Sequence, residues 1–425
     1  MSSIAFHTLG CKVNQYDTQA MRELFERAGY EIVDFHGAAD IYMINTCTVT
    51  GTGDAKSMKL IRRIHREHPN AALIVCGCLA QRDAARVSLP GVRLVLGVKH
   101  RAQVVQLLER ALREDMLVNA VDDQADWTFE TLSVTRHEGK TRAVMKIQEG
   151  CDRYCAYCII PYVRGPVRSM PLCEVINEAQ HLADEGYQEL VLTGIHLASY
   201  GRGTEHALVD AIRAVQQVPG VVRIRLGSLE PPLITDEFVQ AILPMDKLCP
   251  QFHLSMQSGS AGVLGRMKRR YSPDEYLLAA RRLRRAFPGC AITTDVLTGF
   301  PGETDEEANE TLAFVQEVGF ARIHVFPYSR RAGTVADALP DQVPEQVKRE
   351  RAHQLIELGN QLETLYVKSL LETVQEVLFE TTLSDGLCEG YARQYVRVLA
   401  AAQPGERKQI RITSTEGSTA YGIEV

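Results

Sequence analysis

Short apolar runs alternate with amphipathic stretches along the first 135 residues. Ile4–Gly10, Asp40–Cys47, Ala71–Cys78 and Arg93–Val98 read as strands, and Asp17–Ala28, Thr52–His68, Ala80–Leu89 and Arg101–Glu114 repeat apolar residues at helical spacing. This alternation predicts a doubly wound parallel sheet whose ligands sit outside the carboxyl ends of the strands. Between about 136 and 365 it recurs six times, with strands expected at Ala143–Glu149, Glu189–His196, Val222–Glu230, Phe252–Gln257, Ile292–Phe300 and Arg322–Ser329, each followed by a helix. Six β/α units imply a parallel barrel that stays open on one side, which suits a large substrate. From about 366 the runs shorten to Thr373–Glu380, Gly390–Ala400, Lys408–Thr413 and Ser418–Val425, with Gly and Asp at the turns, as in a small antiparallel β-barrel. The expectation is an α/β chain in three domains, 1–135, 136–365 and 366–425.

Cysteines and polar motifs fall in phase with these strand ends. The first strand of the middle region runs into Cys151-Asp152-Arg153-Tyr154-Cys155-Ala156-Tyr157-Cys158. Three thiolates spaced C-x3-C-x2-C on one loop hold three corners of a [4Fe–4S] cube and leave the fourth iron open to a ligand. A zinc knuckle would need a second C-x2-C pair or paired histidines, and no second C-x2-C pair occurs. Thr193-Gly194, Ser228, Glu230, Ser255 and Gln257 stand at the ends of the next three strands and offer backbone and side-chain hydrogen-bond partners. In the first region Cys11, Cys47 and Cys78 each follow or end a strand, so one sheet edge gathers all three and a second cluster is expected there. Cys76 competes with Cys78. Alternation places both on one side, but Cys78 lies beyond Gly77 at the strand exit, so Cys78 is read as the ligand and Cys76 as packed below it.

Composition narrows the class. With 45% hydrophobic residues, 425 residues exceed what one core holds, and no apolar run reaches the ~18 residues of a membrane span. Eleven cysteines, an odd number in glycine-rich surroundings, point to metal ligation over disulfides and to a cytoplasmic protein. A net charge of −6 gives no global attraction to nucleic acid, so RNA contact must come from local patches. Arg266, Lys268, Arg269, Arg270, Arg281, Arg282, Arg284 and Arg285 form the densest one, and Arg393, Arg397, Lys408 and Arg411 with Tyr391 and Tyr395 form another.

The run Cys151–Cys158 resembles the signature of radical S-adenosylmethionine (SAM) enzymes. Gly10-Cys11-Lys12-Val13-Asn14-Gln15-Tyr16-Asp17, Asn45-Thr46-Cys47-Thr48-Val49, Gly77-Cys78-Leu79-Ala80-Gln81, Gly299-Phe300-Pro301-Gly302-Glu303-Thr304 and Tyr328-Ser329-Arg330 together resemble the methylthiotransferase family, most closely its tRNA threonylcarbamoyladenosine group. The resemblance implies two [4Fe–4S] clusters, one cleaving SAM and one carrying sulfur, a C-terminal TRAM domain, and conversion of N6-threonylcarbamoyladenosine at tRNA position 37 to its 2-methylthio form. Tyr157 is implied to pack near the adenine of SAM, with Thr193, Gly194, Ser228, Glu230, Ser255 and Gln257 around the rest of it. Partners implied are the tRNA anticodon arm, a reductant such as flavodoxin or ferredoxin, and a sulfur donor, with no membrane. Relatives acting on isopentenyladenosine or on a ribosomal protein aspartate share the clusters, and an iron–sulfur RNA-binding protein is the non-enzymatic alternative. A cation is expected to meet the threonyl carboxylate, with Arg164, Arg168, Arg330 and Arg331 as candidates.

Overall fold

The computed structural model describes residues 2–122, 127–136, 141–384 and 386–425. The expected domain boundary near 136 abuts residues 137–140, outside the described ones. The N-terminal strands Ser3–Thr8, Ile41–Thr46, Ala72–Gly77 and Val92–Leu96 pair in parallel, with two-residue strands Glu31–Ile32 and Val118–Asn119 at the edges. Ala5, Tyr42, Ile44, Leu73 and Val75 pack on one face and Ile4, Ile41, Met43 and Ile74 on the other, which is the alternation of a sheet covered on both sides. Cys76 belongs to that second face, buried among Leu94, Leu96 and Val104. The stretch read as one helix over 80–89 breaks at Asp83, whose carboxylate accepts the Arg86 N–H and starts a second short helix, Ala84–Val87.

The middle strands Arg142–Glu149, Glu189–Gly194 and Arg223–Leu226 pair in parallel, as do Gln251–His253, Ala291–Thr298 and Arg322–Pro327. Parallel bridges Ile224 to Leu248 and Leu229 to Leu254 join the two halves, so six strands make one open barrel. Helix Lys12–Arg27 rests against its first strand, Arg142–Glu149. The chain then runs through helix Glu345–Lys368 into a closed five-strand barrel. Gly390–Ala400, expected as one strand, is two, Cys388–Ala392 and Arg397–Ala400, because Tyr395 adopts a left-handed φ of 69° in the turn between them.

The small barrel closes the floor of the large one. Arg223 donates to Glu376 and to the Tyr391 carbonyl, Arg225 donates to the Arg393 carbonyl, and the Arg142 guanidinium lies 4.9 Å from the rings of both Tyr391 and Tyr395. The tyrosines stack on each other with centroids 4.9 Å apart. These rings, and Arg393 bonded to the Leu248 carbonyl, therefore join the small barrel to the large one.

At the other end, buried charges fasten the N-terminal sheet to the barrel. Glu149, ending the first barrel strand, has Arg164 at 2.7 Å, Arg101 at 3.0 Å, Lys146 at 3.2 Å and Arg168 at 3.5 Å. Asp17 of helix Lys12–Arg27 takes Lys146 at 2.6 Å. Burial opposes ionisation of Glu149, yet Arg101, Lys146, Arg164 and Arg168 hold its carboxyl well below the ordinary range. Glu149→Gln leaves four buried cations short of their shared anion and is expected to cost about 3–5 kcal/mol in urea unfolding near neutral pH. Because the folded pKa is depressed, this contribution is complete above the unfolded carboxyl range of about 4.5 and is lost as pH falls through the lower folded value. The wild-type advantage should therefore shrink in acid; an unchanged difference at low pH would contradict the network.

Candidate active site

The two cysteine groups meet at the junction of sheet and barrel. Gly10, at φ +108°, lets the chain turn so closely that a Cβ on it would lie 3.0 Å from the Cys47 Cβ and 3.1 Å from its Sγ. Gly77, at φ +91°, permits an approach that any side chain would block, since its Cβ would fall 2.2 Å from Asn45 Oδ1. The loops after the first two strands are stitched by Asn14, which donates to the Leu9 and Thr46 carbonyls at 2.8 and 3.0 Å. Cys11, Cys47 and Cys78 are thereby drawn within electrostatic reach of one another. Burial pushes the Cys78 thiol up to about 11, opposed by Arg164, whose Nε donates to its Sγ at 3.2 Å. Cys76 points elsewhere, its Sγ 3.7 Å from the Ile44 carbonyl.

The second group lies on the loop after the first barrel strand. Cys151, Cys155 and Cys158 are half-buried, and burial raises the first and last thiols to about 11 and about 12. Such thiols ionise when a cation binds them, and soft thiolates suit iron. No three His, Cys, Asp or Glu side chains among the described residues are gathered as for a single metal ion. A [4Fe–4S] cluster takes one cysteine per iron, and the three thiolates of the barrel loop suit three of its corners. Cys78 packs directly with Ile159 and Val163, and Ile159 follows Cys158, so one short segment separates the two groups.

A cleft of about 140 Å³ opens beside Cys151, Cys155 and Cys158, with Tyr157, Ser228, Glu230, Ser255 and Gln257 in its wall. Thr193 is buried, and Gly194 packs on the Gln148 side chain, so Ile195 and His196 form the wall instead. Glu230 is gripped by His196 and Arg153 at 2.9 Å and by Arg269 at 3.2 Å. Burial opposes its charge, but the His196 hydrogen bond and the Arg269 charge bring it down to about 2. Arg269 also donates to Cys155 Sγ at 3.3 Å and to the Tyr271 hydroxyl at 3.0 Å. The sequence placed Arg269 in a basic surface stretch; much of that stretch is engaged, with Arg266 on Glu307 and Arg282 on Asp236. Arg153 and Tyr271 were missed, and only Arg153's position inside the cysteine run gave a signal. A cleft of about 100 Å³ lies between the sixth strand and the small barrel, but its walls carry no cysteine.

The arginines expected at a substrate carboxylate are mostly committed inside the protein. Arg164 is 1% exposed, spread over Glu149, Asn14 and Cys78. Arg168 donates to the Arg164 and Pro166 carbonyls and lies over Trp127. Arg331 is buried on Asp54 at 2.7 Å and Thr48, where it clamps the sheet to the sixth barrel strand. Arg330 alone of the four is exposed, paired with Asp337.

Residues 3–97 match the family described as Uncharacterized protein family UPF0004, and residues 145–315 match the Radical SAM superfamily. The chain is 43% identical to threonylcarbamoyladenosine tRNA methylthiotransferase MtaB of Bacillus subtilis, over 94% of this chain and 90% of that one. It is 35% identical to the MtaB of Thermotoga maritima, over 97% and 95%. The tRNA-2-methylthio-N(6)-dimethylallyladenosine synthase of Finegoldia magna is 34% identical, over 88% and 82%. Among solved structures, the radical S-adenosylmethionine methyltransferase TsrM of Kitasatospora setae, with cobalamin and a [4Fe-4S] cluster bound, superposes with a TM-score of 0.60 at 14% identity, covering 79% of this chain and 77% of that one. With this fold, this cysteine loop and relatives that match nearly end to end, the chain belongs to the methylthiotransferase family of radical SAM enzymes.

Proposed function

We propose that this chain is a tRNA methylthiotransferase that converts N6-threonylcarbamoyladenosine to its 2-methylthio derivative. The observation that carries the reading is the meeting of two cysteine trios, one from the ends of the N-terminal sheet and one from the barrel loop, across the single segment Ile159–Arg164. Relatives that cover between 84% and 97% of the chain bear this activity in their names.

In this reading Cys151, Cys155 and Cys158 would hold one [4Fe–4S] cluster, and Cys11, Cys47 and Cys78 a second. When bound, the first would provide the electron for SAM cleavage and the second would provide sulfur. The chain's own residues position and exclude. Tyr157 stands edge-on to Phe300 with centroids 6.5 Å apart and closes the apolar side of the cleft. Ser228, Ser255 and Gln257 present hydrogen-bonding groups to SAM, and Arg153, His196 and Arg269 fix the Glu230 carboxylate. Arg164 and Arg269 each give an N–H to a cysteine sulfur, stabilising the thiolate form that binds iron.

We read the domains as 1–135, 136–365 and 366–425, the last a TRAM domain on the anticodon arm of the tRNA. A flavodoxin or ferredoxin reductant and a separate sulfur donor complete the reaction in the cytoplasm. Among the described residues no helix is long and apolar enough to cross a membrane.

Nucleoside mass spectrometry of tRNA from cells lacking the gene tests the assignment. The 2-methylthio-threonylcarbamoyl nucleoside should vanish, its unthiolated precursor should rise to match, and the isopentenyl analogue should be unaffected. Loss of only the isopentenyl analogue would overturn the substrate assignment.

A further inference from the structure

Helix Gly51–Glu67, which follows the Cys47 loop, carries a basic stripe that the site leaves unused. Asp54, Ser57, Met58, Ile61 and Ile64 form its buried side, packed on the N-terminal sheet. At about 100° per residue, the side facing away collects Lys56, Lys59, Arg62, Arg63 and Arg66. All of them are exposed except half-buried Arg63. The stripe runs about 15 Å, with a cation at each turn of about 5.4 Å. Glu67 is the one carboxylate of the helix on this side, 3.7 Å from both Arg63 and Arg66. Among the described residues, Lys56, Lys59 and Arg62 have no carboxylate within ion-pair distance. A helix face that merely keeps a surface wet mixes both signs, and the chain as a whole is acidic, at −6.

The stripe starts at the cysteine site. The Ser57 hydroxyl lies 3.5 Å from the Cys47 carbonyl oxygen, and a Cβ on Gly53 would come 3.8 Å from Cys47 Sγ. Asp54, in the first turn of the helix, is shared by three guanidiniums, Arg331 at 2.7 Å and Arg82 and Arg86 at 3.4 Å. Asp83, between the last two, accepts the Arg86 backbone N–H. Three guanidiniums against these two carboxylates leave positive charge over, and the Arg86 side chain is 46% exposed. The basic stretch Arg266–Arg285 differs, since Arg266, Arg281 and Arg282 each have a carboxylate.

Resting on the methylthiotransferase reading, we infer that the outer face of helix Gly51–Glu67 is a track for the RNA backbone, on which Lys56, Lys59, Arg62, Arg63 and Arg66 hold phosphates of the tRNA strand leading away from the nucleoside in the site. A stable protein interface buries an apolar centre, and no large hydrophobic side chain is exposed between Gly51 and Glu67. A backbone with one negative charge per nucleotide needs no such centre. Lys and Arg take phosphate oxygens without reading bases, so the track positions the tRNA and does not select it. Its start beside Cys47 places the first phosphates next to the nucleoside that must reach the two cysteine groups.

The test measures Kd of the reconstituted holoenzyme for an anticodon stem-loop carrying threonylcarbamoyladenosine, over a series of potassium chloride concentrations. The triple variant Lys56→Gln, Lys59→Gln, Arg62→Gln should bind roughly tenfold or more weakly near about 0.1 M salt, and the slope of log Kd against log salt should fall by about two. Lys56→Arg with Lys59→Arg should bind as wild type does. A control triple, Arg27→Gln, Arg110→Gln, Arg113→Gln, removes the same charge from the opposite face of the sheet and should change neither quantity. Because the three stripe residues are exposed and unpaired, iron per chain and SAM cleavage without RNA should stay at wild-type levels. A stripe triple with wild-type affinity and slope, or a control triple that weakens binding equally, would overturn the track and leave the enzyme assignment intact. Normal RNA binding with slowed reduction by flavodoxin would do the same, making the stripe a dock for an acidic protein. Wild type that binds no RNA would instead overturn the assignment itself, and the track with it.

Discussion

The structure depends on a buried ion network centred on Glu149. Arg101, Lys146, Arg164 and Arg168 surround it, and Asp17 and Glu130 are the other carboxylates. Taking these groups out of water is costly unless each charge is paired, and four cations against three carboxylates leave one positive charge over. Cys78, 3.2 Å from Arg164, supplies the fourth anion once it is a thiolate. Docking of the sheet on the barrel and ionisation of a cysteine at the sheet edge are thus two sides of one electrostatic balance.

That coupling explains why the site is built where it is. Arg164 ends the short helix that begins just after Cys158, so the segment following one trio also carries the residue that donates to a cysteine of the other. Arg331 makes a second clamp on Asp54, at the opposite side of the sheet edge. Between the clamps the N-terminal sheet roofs the barrel, with helix Lys12–Arg27 resting on the first barrel strand, while Arg142, Arg223 and Arg225 close the floor against the small barrel. The interior of the large barrel is therefore bounded by all three parts of the chain.

Much of this was legible because it follows from strand period and from turns. Strand ends in a parallel sheet share one edge, so Cys11, Cys47 and Cys78 could be grouped from their positions, and Gly77 separated Cys78 from Cys76. The roles of the arginines were not legible. Arg164, Arg168 and Arg331 look like available cations in the sequence, and only tertiary packing shows that Glu149 and Asp54 already hold them. For Tyr391 and Tyr395 too, only tertiary packing shows the rings stacked on each other beside Arg142, since a stacked aromatic pair beside arginines has one composition whatever it faces.

Iron content after anaerobic reconstitution tests the central claim most directly, that two separate three-cysteine groups face each other across the Arg164 segment. The account predicts about eight irons per chain in wild type, about four in Cys78→Ser and in Cys155→Ser, and about eight in Cys76→Ser. About four irons in wild type, or a loss in Cys76→Ser that Cys78→Ser does not show, would contradict it.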